Sequence, residues 1–182
     1  MHYTGTIWRP PYEAYSLLVQ VTAGCTHHSC KFCTLYEDLP FKFKLSPFSE
    51  VKADLAEASK YYRKIPRIFF TGANPFVLST EKLKTLAKMV KEYYPFYKTI
   101  GCFARITDIM PKSLEELKEL RALGYDGITI GVETGDDESL TFMNKGFQSK
   151  DVLEQCRKLD EAGISYNFFY LTGIYGAGRG EV

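Results

Sequence analysis

Apolar runs of strand length alternate with stretches of helical periodicity five times along this chain, and few folds accept that order. The first run, Tyr15-Ser16-Leu17-Leu18-Val19-Gln20-Val21, is almost continuous, as a strand buried on both faces requires, so a strand is expected over about 15–22. Ser46-Pro47 opens a helix, with Ser46 as its cap and Pro47 in its first turn, and Val51, Leu55, Ala58 and Tyr62 supply its apolar face. Ile68-Phe69-Phe70 is the second strand, and Leu83, Leu86, Ala87 and Val90 mark the next helix by their helical spacing. Thr99 to Ala104 is the third strand. Ser113 and Glu116 form a capping box ahead of Leu114, Leu117 and Leu120, and Gly124 ends that helix. Ile128 to Val132 is the fourth strand. Val152, Leu153, Cys156 and Leu159 line a further helix closed by Gly163, and a fifth strand over about 166–172 contains Asn167 to Leu171.

This order argues an α/β chain with a parallel sheet under covering helices. The second, fourth and fifth strands each run into the same dipeptide, Thr71-Gly72, Thr134-Gly135 and Thr172-Gly173. Such repetition suggests a barrel-like array of βα units, a partial parallel (βα) barrel of the TIM-barrel kind with about five strands. Ligands in such folds sit over the carboxyl ends of the strands. Residues 1–182 read as one domain. The chain stops at Gly-Ala-Gly-Arg-Gly-Glu-Val just after the fifth strand, so a barrel truncated at its C-terminus, the N-terminal part of a larger one, is expected.

The chemistry gathers in GCTHHSCKFC, residues 24–33, which follows the first strand directly. Cys25, Cys30 and Cys33 cluster there, while Cys102 and Cys156 stand far along the chain and read as core residues. A closed zinc or iron–sulfur site wants four ligands, and three leave one coordination position open. No basic-then-apolar leader opens the chain, and no window approaches the ~18 apolar residues of a membrane span. The thiols are therefore expected in a reducing cytoplasm, where such clusters bind metal. A net charge of +1 gives no overall field for nucleic acid or membrane. The run Phe41-Lys42-Phe43-Lys44 reads as a solvated extended segment rather than an RNA-binding patch. Aromatic residues reach 15%, enough for a ring-rich core and also for a groove that stacks planar ligands.

The cysteine loop on a βα array resembles the signature of the radical S-adenosylmethionine (radical SAM) superfamily. The spacing is C-x4-C-x2-C, one residue longer than the common C-x3-C-x2-C, and resembles a branch with a GCxHxxCxFC-type loop. Gly131-Val132-Glu133-Thr134-Gly135 followed by Lys145-Gly146 is similar to the family's GxExG…KG region. The resemblance implies an oxygen-sensitive enzyme. Cys25, Cys30 and Cys33 would ligate a [4Fe–4S] cluster, and S-adenosylmethionine would chelate the fourth iron. Reductive cleavage would then give methionine and a 5′-deoxyadenosyl radical that acts on an unknown substrate. An electron donor such as flavodoxin or ferredoxin is implied as partner. Phe32 would pack near the adenine. Asn74 stands where the family often carries the glutamate of a Gly-Gly-Glu-Pro-like motif, and would take the methionyl amino group or be a turn residue before Pro75. Glu133 would contact the ribose or amino group, or be a solvated loop carboxylate. Arg105 would pair with the cofactor carboxylate or with Glu133. His27 and His28 are expected as exposed residues or as hydrogen-bonding groups behind the ligands. The loop Gly173 to Gly180 would approach the adenosine. Two other readings of the cysteines are a structural zinc site completed by His27 or His28, and a [2Fe–2S] electron carrier with Cys102 as its distant ligand.

Overall fold

The structure, a computed structural model, describes residues 1–174. Five parallel strands form the main sheet: β1 (Leu17–Gln20), β4 (Arg67–Thr71), β5 (Thr99–Ala104), β6 (Ile128–Glu133) and β7 (Tyr166–Tyr170). Their spatial order is their sequence order. A doubly wound sheet reverses direction at its middle; this one winds in a single direction, as strands of a barrel do. Between β1 and β4 lies a small antiparallel hairpin of β2 (Thr22–Gly24) and β3 (Phe43–Leu45), followed by α1 (Phe48–Tyr61). The remaining helices are α2 (Thr80–Tyr93), α3 (Ile106–Ile109), α4 (Leu114–Ala122), α5 (Asp137–Phe142) and α6 (Ser149–Ala162).

The helices cover one face of the sheet because their apolar stripes match it. Val51, Leu55 and Ala58 of α1 and Leu83, Leu86, Ala87 and Val90 of α2 are buried against Ile68, Phe70, Ile100 and Cys102. Each buried Val, Leu, Ile or Phe side chain among them contributes about 1.5–3 kcal/mol of transfer free energy. Strand alternation sends Phe69 and Phe103 to the opposite face, where their rings meet edge-on at 5.1 Å and Phe169 follows at 6.2 Å from Phe103. Ser113 and Glu116 exchange both capping hydrogen bonds, at 3.1 and 2.8 Å, and Gly163 takes the left-handed conformation that ends α6.

Several boundaries differ from those expected. Pro47, not Ser46, is the N-cap of α1, and no side chain caps that helix. Leu153 is 61% exposed, because α6 turns Val152, Cys156 and Leu159 inward and leaves the residue after Val152 on the outer side. Tyr62 ends α1 and is exposed. Tyr15 is exposed as well, and β1 begins only at Leu17. The shared Thr-Gly dipeptides do not answer one steric need. Gly72 has φ +131 and a Cβ there would stand 2.0 Å from Thr22 Oγ1, whereas a Cβ on Gly135 or Gly173 would meet nothing within 4 Å. Of the segment Phe41 to Lys44 only Phe43 and Lys44 are extended, paired with β2, while Phe41 and Lys42 form a bend before them. Gly176 to Gly180 lies outside the described residues.

Candidate active site

The cysteine loop leaves β2 and is held from three sides. The hairpin fixes its start, where the Cys25 amide donates to the Lys42 carbonyl at 2.8 Å. The segment after α5 fixes its middle: Lys31 N donates to Met143 O at 3.1 Å, His27 Nε2 to Asn144 O at 2.6 Å, and Asn144 Nδ2 to Ser29 O at 2.9 Å. This contact needs a tight reversal of the chain. Asn144 (φ 57) and Gly146 (φ 78) are both left-handed, a backbone conformation that favours glycine, and Gly146 lies directly against the His27 ring and Arg105. The third anchor is Asn74, which is fully buried after β4. Its Nδ2 donates to Thr26 Oγ1 at 2.7 Å and to both Asp108 carboxylate oxygens at 3.1 Å.

A cleft of about 340 Å³ opens between this loop and the carboxyl ends of the strands. Cys25, Cys30, Cys33 and Phe32 line it from the loop, Ala104 from β5, and Glu133 from β6. Glu133 ends β6 at a bulge with φ 72, in the left-handed region, and that backbone turn sets its carboxylate into the cleft. Lys145 reaches the same place from the loop after α5 and pairs with Glu133 Oε1 at 3.0 Å, both side chains being about nine-tenths buried or more. The Lys145 ammonium also stands 5.5 Å from the Phe32 ring centroid and 5.6 Å from that of Phe147.

Electrostatics in the cleft pull two ways. Burial pushes the Cys30 thiol up, while the positive charges of Lys145 and Arg105 bring it down. Burial pushes the Tyr36 phenol well above its ordinary range, with the neighbouring Cys25 and Cys33 adding to the effect. The His27 imidazole is lowered, first by burial and then by the same two cations, although its bond to Asn144 opposes this.

The structure thus brings Cys25, Cys30, Cys33, Phe32 and Glu133 onto one cleft. It does not bring Arg105 to Glu133. Lys145 occupies the carboxylate, and the Arg105 guanidinium donates to the Lys145 carbonyl oxygen instead, behind the cleft wall. Asn74 also stands behind the wall, with its amide engaged by Thr26 and Asp108. Cys102 is fully buried among helix-facing residues, where burial drives its thiol far up, and Cys156 packs into the core from the inner face of α6. Lys145 was legible in the sequence only as part of Lys145-Gly146, and nothing there assigned it to Glu133. Asp108 carried no sequence signal at all.

The donor set suits a cubane cluster. Among the described residues no three His, Cys, Asp or Glu side chains could hold a single metal ion. A [4Fe–4S] cubane asks for something different, thiolates spread over separate irons, and the three free thiols around one cleft offer that.

Sequentially ordered parallel strands with a trio of thiols in the first loop define an α/β partial barrel whose cleft is lined by cysteines. The chain belongs to the radical SAM superfamily, which matches residues 19–182. It is 30% identical over 97 residues to the heme chaperone HemW of Bacillus subtilis, covering 53% of this chain and 26% of that protein. It is 26% identical over 178 residues to an uncharacterized methyltransferase of Synechocystis, covering 92% of this chain and 31% of that protein. The chain therefore spans about a quarter to a third of the length of these curated relatives. Among solved structures, the cobalamin-dependent S-adenosylmethionine radical enzyme OxsB, with aqua-cobalamin and S-adenosylmethionine bound, superposes with a TM-score of 0.66 at 19% identity. That match covers 86% of this chain and 24% of OxsB. The radical S-adenosylmethionine methyltransferase TsrM of Kitasatospora setae, with cobalamin and a [4Fe–4S] cluster bound, gives 0.66 at 17% identity over 87% of this chain and 31% of TsrM. Coproporphyrinogen III oxidase (HemN) of Escherichia coli, a radical SAM enzyme, gives 0.59 at 19% over 87% and 37%. The shared fold is the radical SAM partial barrel, and neither the zinc site nor the [2Fe–2S] carrier finds support.

Proposed function

We propose that this chain is the core of a radical SAM enzyme, with Cys25, Cys30 and Cys33 as the ligands of a [4Fe–4S] cluster and S-adenosylmethionine bound in the cleft beside them. The observation that supports it most is that these three thiols share one cleft with the strand carboxyl ends, while Cys102 and Cys156 are buried elsewhere. When bound, a reduced cluster supplies the single electron that opens the sulfonium C–S bond of S-adenosylmethionine.

The chain's own residues have separate tasks. Lys145 and Arg105 lower the cost of carrying thiolate charge at Cys30. Asn74 is a positioning residue: it holds Thr26, next to Cys25, against the buried Asp108. Glu133 is the carboxylate available to a polar group of the cofactor, and Lys145 holds it in place on the cleft wall through their 3.0 Å ion pair. Phe32 offers a ring face for the purine. Among the described residues no helix is long and apolar enough to cross a membrane. That fits a cytoplasmic enzyme fed by a donor such as flavodoxin or ferredoxin, and a net charge of +1 argues for a substrate other than nucleic acid.

Anaerobic reconstitution followed by Mössbauer and electron paramagnetic resonance spectroscopy tests this reading. About four irons per chain are expected, with a reduced-cluster signal that changes when S-adenosylmethionine is added. Zinc without iron, or a [2Fe–2S] spectrum indifferent to the cofactor, would overturn it.

A further inference from the structure

The residues before β1 run along one side of the cleft as a strap pinned at both ends. On one side Thr4 exchanges two hydrogen bonds with the Gln20 side chain of β1, at 2.6 and 3.1 Å. On the other side the buried Glu13 carboxylate accepts from Arg67 Nε at 2.8 and 3.0 Å, and Tyr12 Oη lies 2.8 Å from Thr129 Oγ1. Arg67 opens β4, so this second anchor lies toward the end of the sheet opposite the cleft. Pro10 and Pro11 stiffen the segment between the anchors, with Pro10 extended at φ −65, ψ 150. That segment places Trp8 and Arg9 on the cleft wall.

The charges of the cleft are unequally satisfied. Glu133 and Lys145 neutralise one another at 3.0 Å. Arg9 makes no ion pair or hydrogen bond among the described residues. Around it the wall is largely carbon, from Trp8, Leu35, Phe103 and Phe169. A guanidinium presents a fixed fork of donors that matches a carboxylate or phosphate, and it is worth most beside apolar surface. The adjacent indole adds a flat apolar plate. We infer that Trp8 and Arg9 form the recognition site for a second small molecule, an organic anion whose carboxylate or phosphate is borne on a ring or hydrocarbon body. The inference rests on the function proposed above: in that reading the cofactor's own carboxylate is engaged at the cluster iron, so an anion at Arg9 belongs to the molecule acted upon.

Fluorine NMR on the chain after anaerobic reconstitution, whatever its iron content, tests this with three probes of one shape: 4-fluorobenzoate, 4-fluorophenyl phosphate and the uncharged 4-fluorobenzamide. The two anions should bind at least tenfold more tightly than the amide. Arg9→Gln should weaken the anions by about 10- to 150-fold, the range for losing a charge-assisted hydrogen bond, and leave the amide unchanged. Arg9→Lys should recover part of the loss, because it keeps the charge without the fork. Trp8→Ala should weaken all three. Both side chains are exposed, so the variants keep their fold. Saturating S-adenosylmethionine should leave the anions bound. Equal binding of anion and amide, an Arg9→Gln chain with wild-type affinity, or one-for-one displacement by S-adenosylmethionine would each overturn the inference. Iron content and 5′-deoxyadenosine are measured on the same samples. A chain that cleaves the cofactor but shows no anion preference sinks this inference alone. A chain that binds anions through Arg9 but neither loads iron nor cleaves supports the anion site and sinks the radical reading.

Discussion

The Glu133–Lys145 pair is where the site's energetics can be measured without any cofactor. The two groups meet at 3.0 Å with side-chain exposures of 10% and 5%, so water screens them little. Lys145→Met leaves the Glu133 carboxylate buried without a counter-charge, and breaking a buried pair in this way costs about 3–5 kcal/mol. Glu133→Gln is milder. The new amide oxygen still accepts from the Lys145 ammonium, which also keeps the Phe32 and Phe147 ring faces at 5.5 and 5.6 Å, so roughly 1.5–3 kcal/mol is expected. The double variant carries neither charge, and its loss should be smaller than the sum of the two single losses by a coupling of about 1–3 kcal/mol. The backbone adds a separable contribution. Glu133 sits at φ 72, which a residue with a Cβ occupies at a cost of about 1–2 kcal/mol, so Glu133→Gly should be more stable than Glu133→Ala by that amount. Urea unfolding of the cluster-free chain measures all five variants. Additive losses in the double variant, or Glu133→Gly no better than Glu133→Ala, would refute the reasoning.

Other expectations follow from the same geometry. Alanine at Cys25, Cys30 or Cys33 should abolish iron retention after reconstitution, whereas alanine at Cys102 or Cys156 should leave it intact; iron and sulfide analysis separates the two sets. Burial raises the Asp108 carboxyl from 3.8 to about 6, against opposing hydrogen bonds from Arg105 and Asn74. The folded chain then holds a proton there that the unfolded chain has released, so this group's contribution is present below pH 4 and is lost as pH rises from about 4 through 6, by roughly 3 kcal/mol. Asp108→Asn should remove that part of the dependence, seen as the difference between the two chains' stability curves over the same window. Glu133→Gln should weaken S-adenosylmethionine binding about tenfold or more while iron content holds, checked by isothermal titration of the reconstituted chain.

Much of the fold was legible because burial imposes a period. The core strands β4, β5 and β6 and the helices α1, α2, α4 and α6 all announce themselves through apolar spacing. Elements too short to show a period did not: α3 has four residues, α5 six, and β2 and β3 three each. Leu153 and Tyr62 were misplaced because an apolar residue beside a buried stripe looks the same in sequence as one inside it. The cysteine trio was legible since its chemistry is local. What holds it was not. Asn74 meets Thr26 across 48 positions and His27 meets Asn144 across 117, and such pairings exist only once the strands are ordered. The same holds for Arg105, whose charge makes Glu133 a natural partner in sequence, whereas in the fold Lys145 takes that carboxylate and Arg105 donates to the Lys145 carbonyl. Trp8 and Arg9 had no signal of any kind, because a strap before the first strand carries no period.

In the proposed function, three thiols and a carboxylate around one cleft support reductive cleavage of S-adenosylmethionine. The most direct measurement reconstitutes the chain anaerobically, reduces it with dithionite in the presence of S-adenosylmethionine, and quantifies 5′-deoxyadenosine against a Cys30→Ala control. Slow formation of 5′-deoxyadenosine and methionine in equal amounts is expected, and none from the control. A chain, extended where necessary to the length of its relatives, that carries a full [4Fe–4S] complement yet forms no 5′-deoxyadenosine above the control would contradict the account.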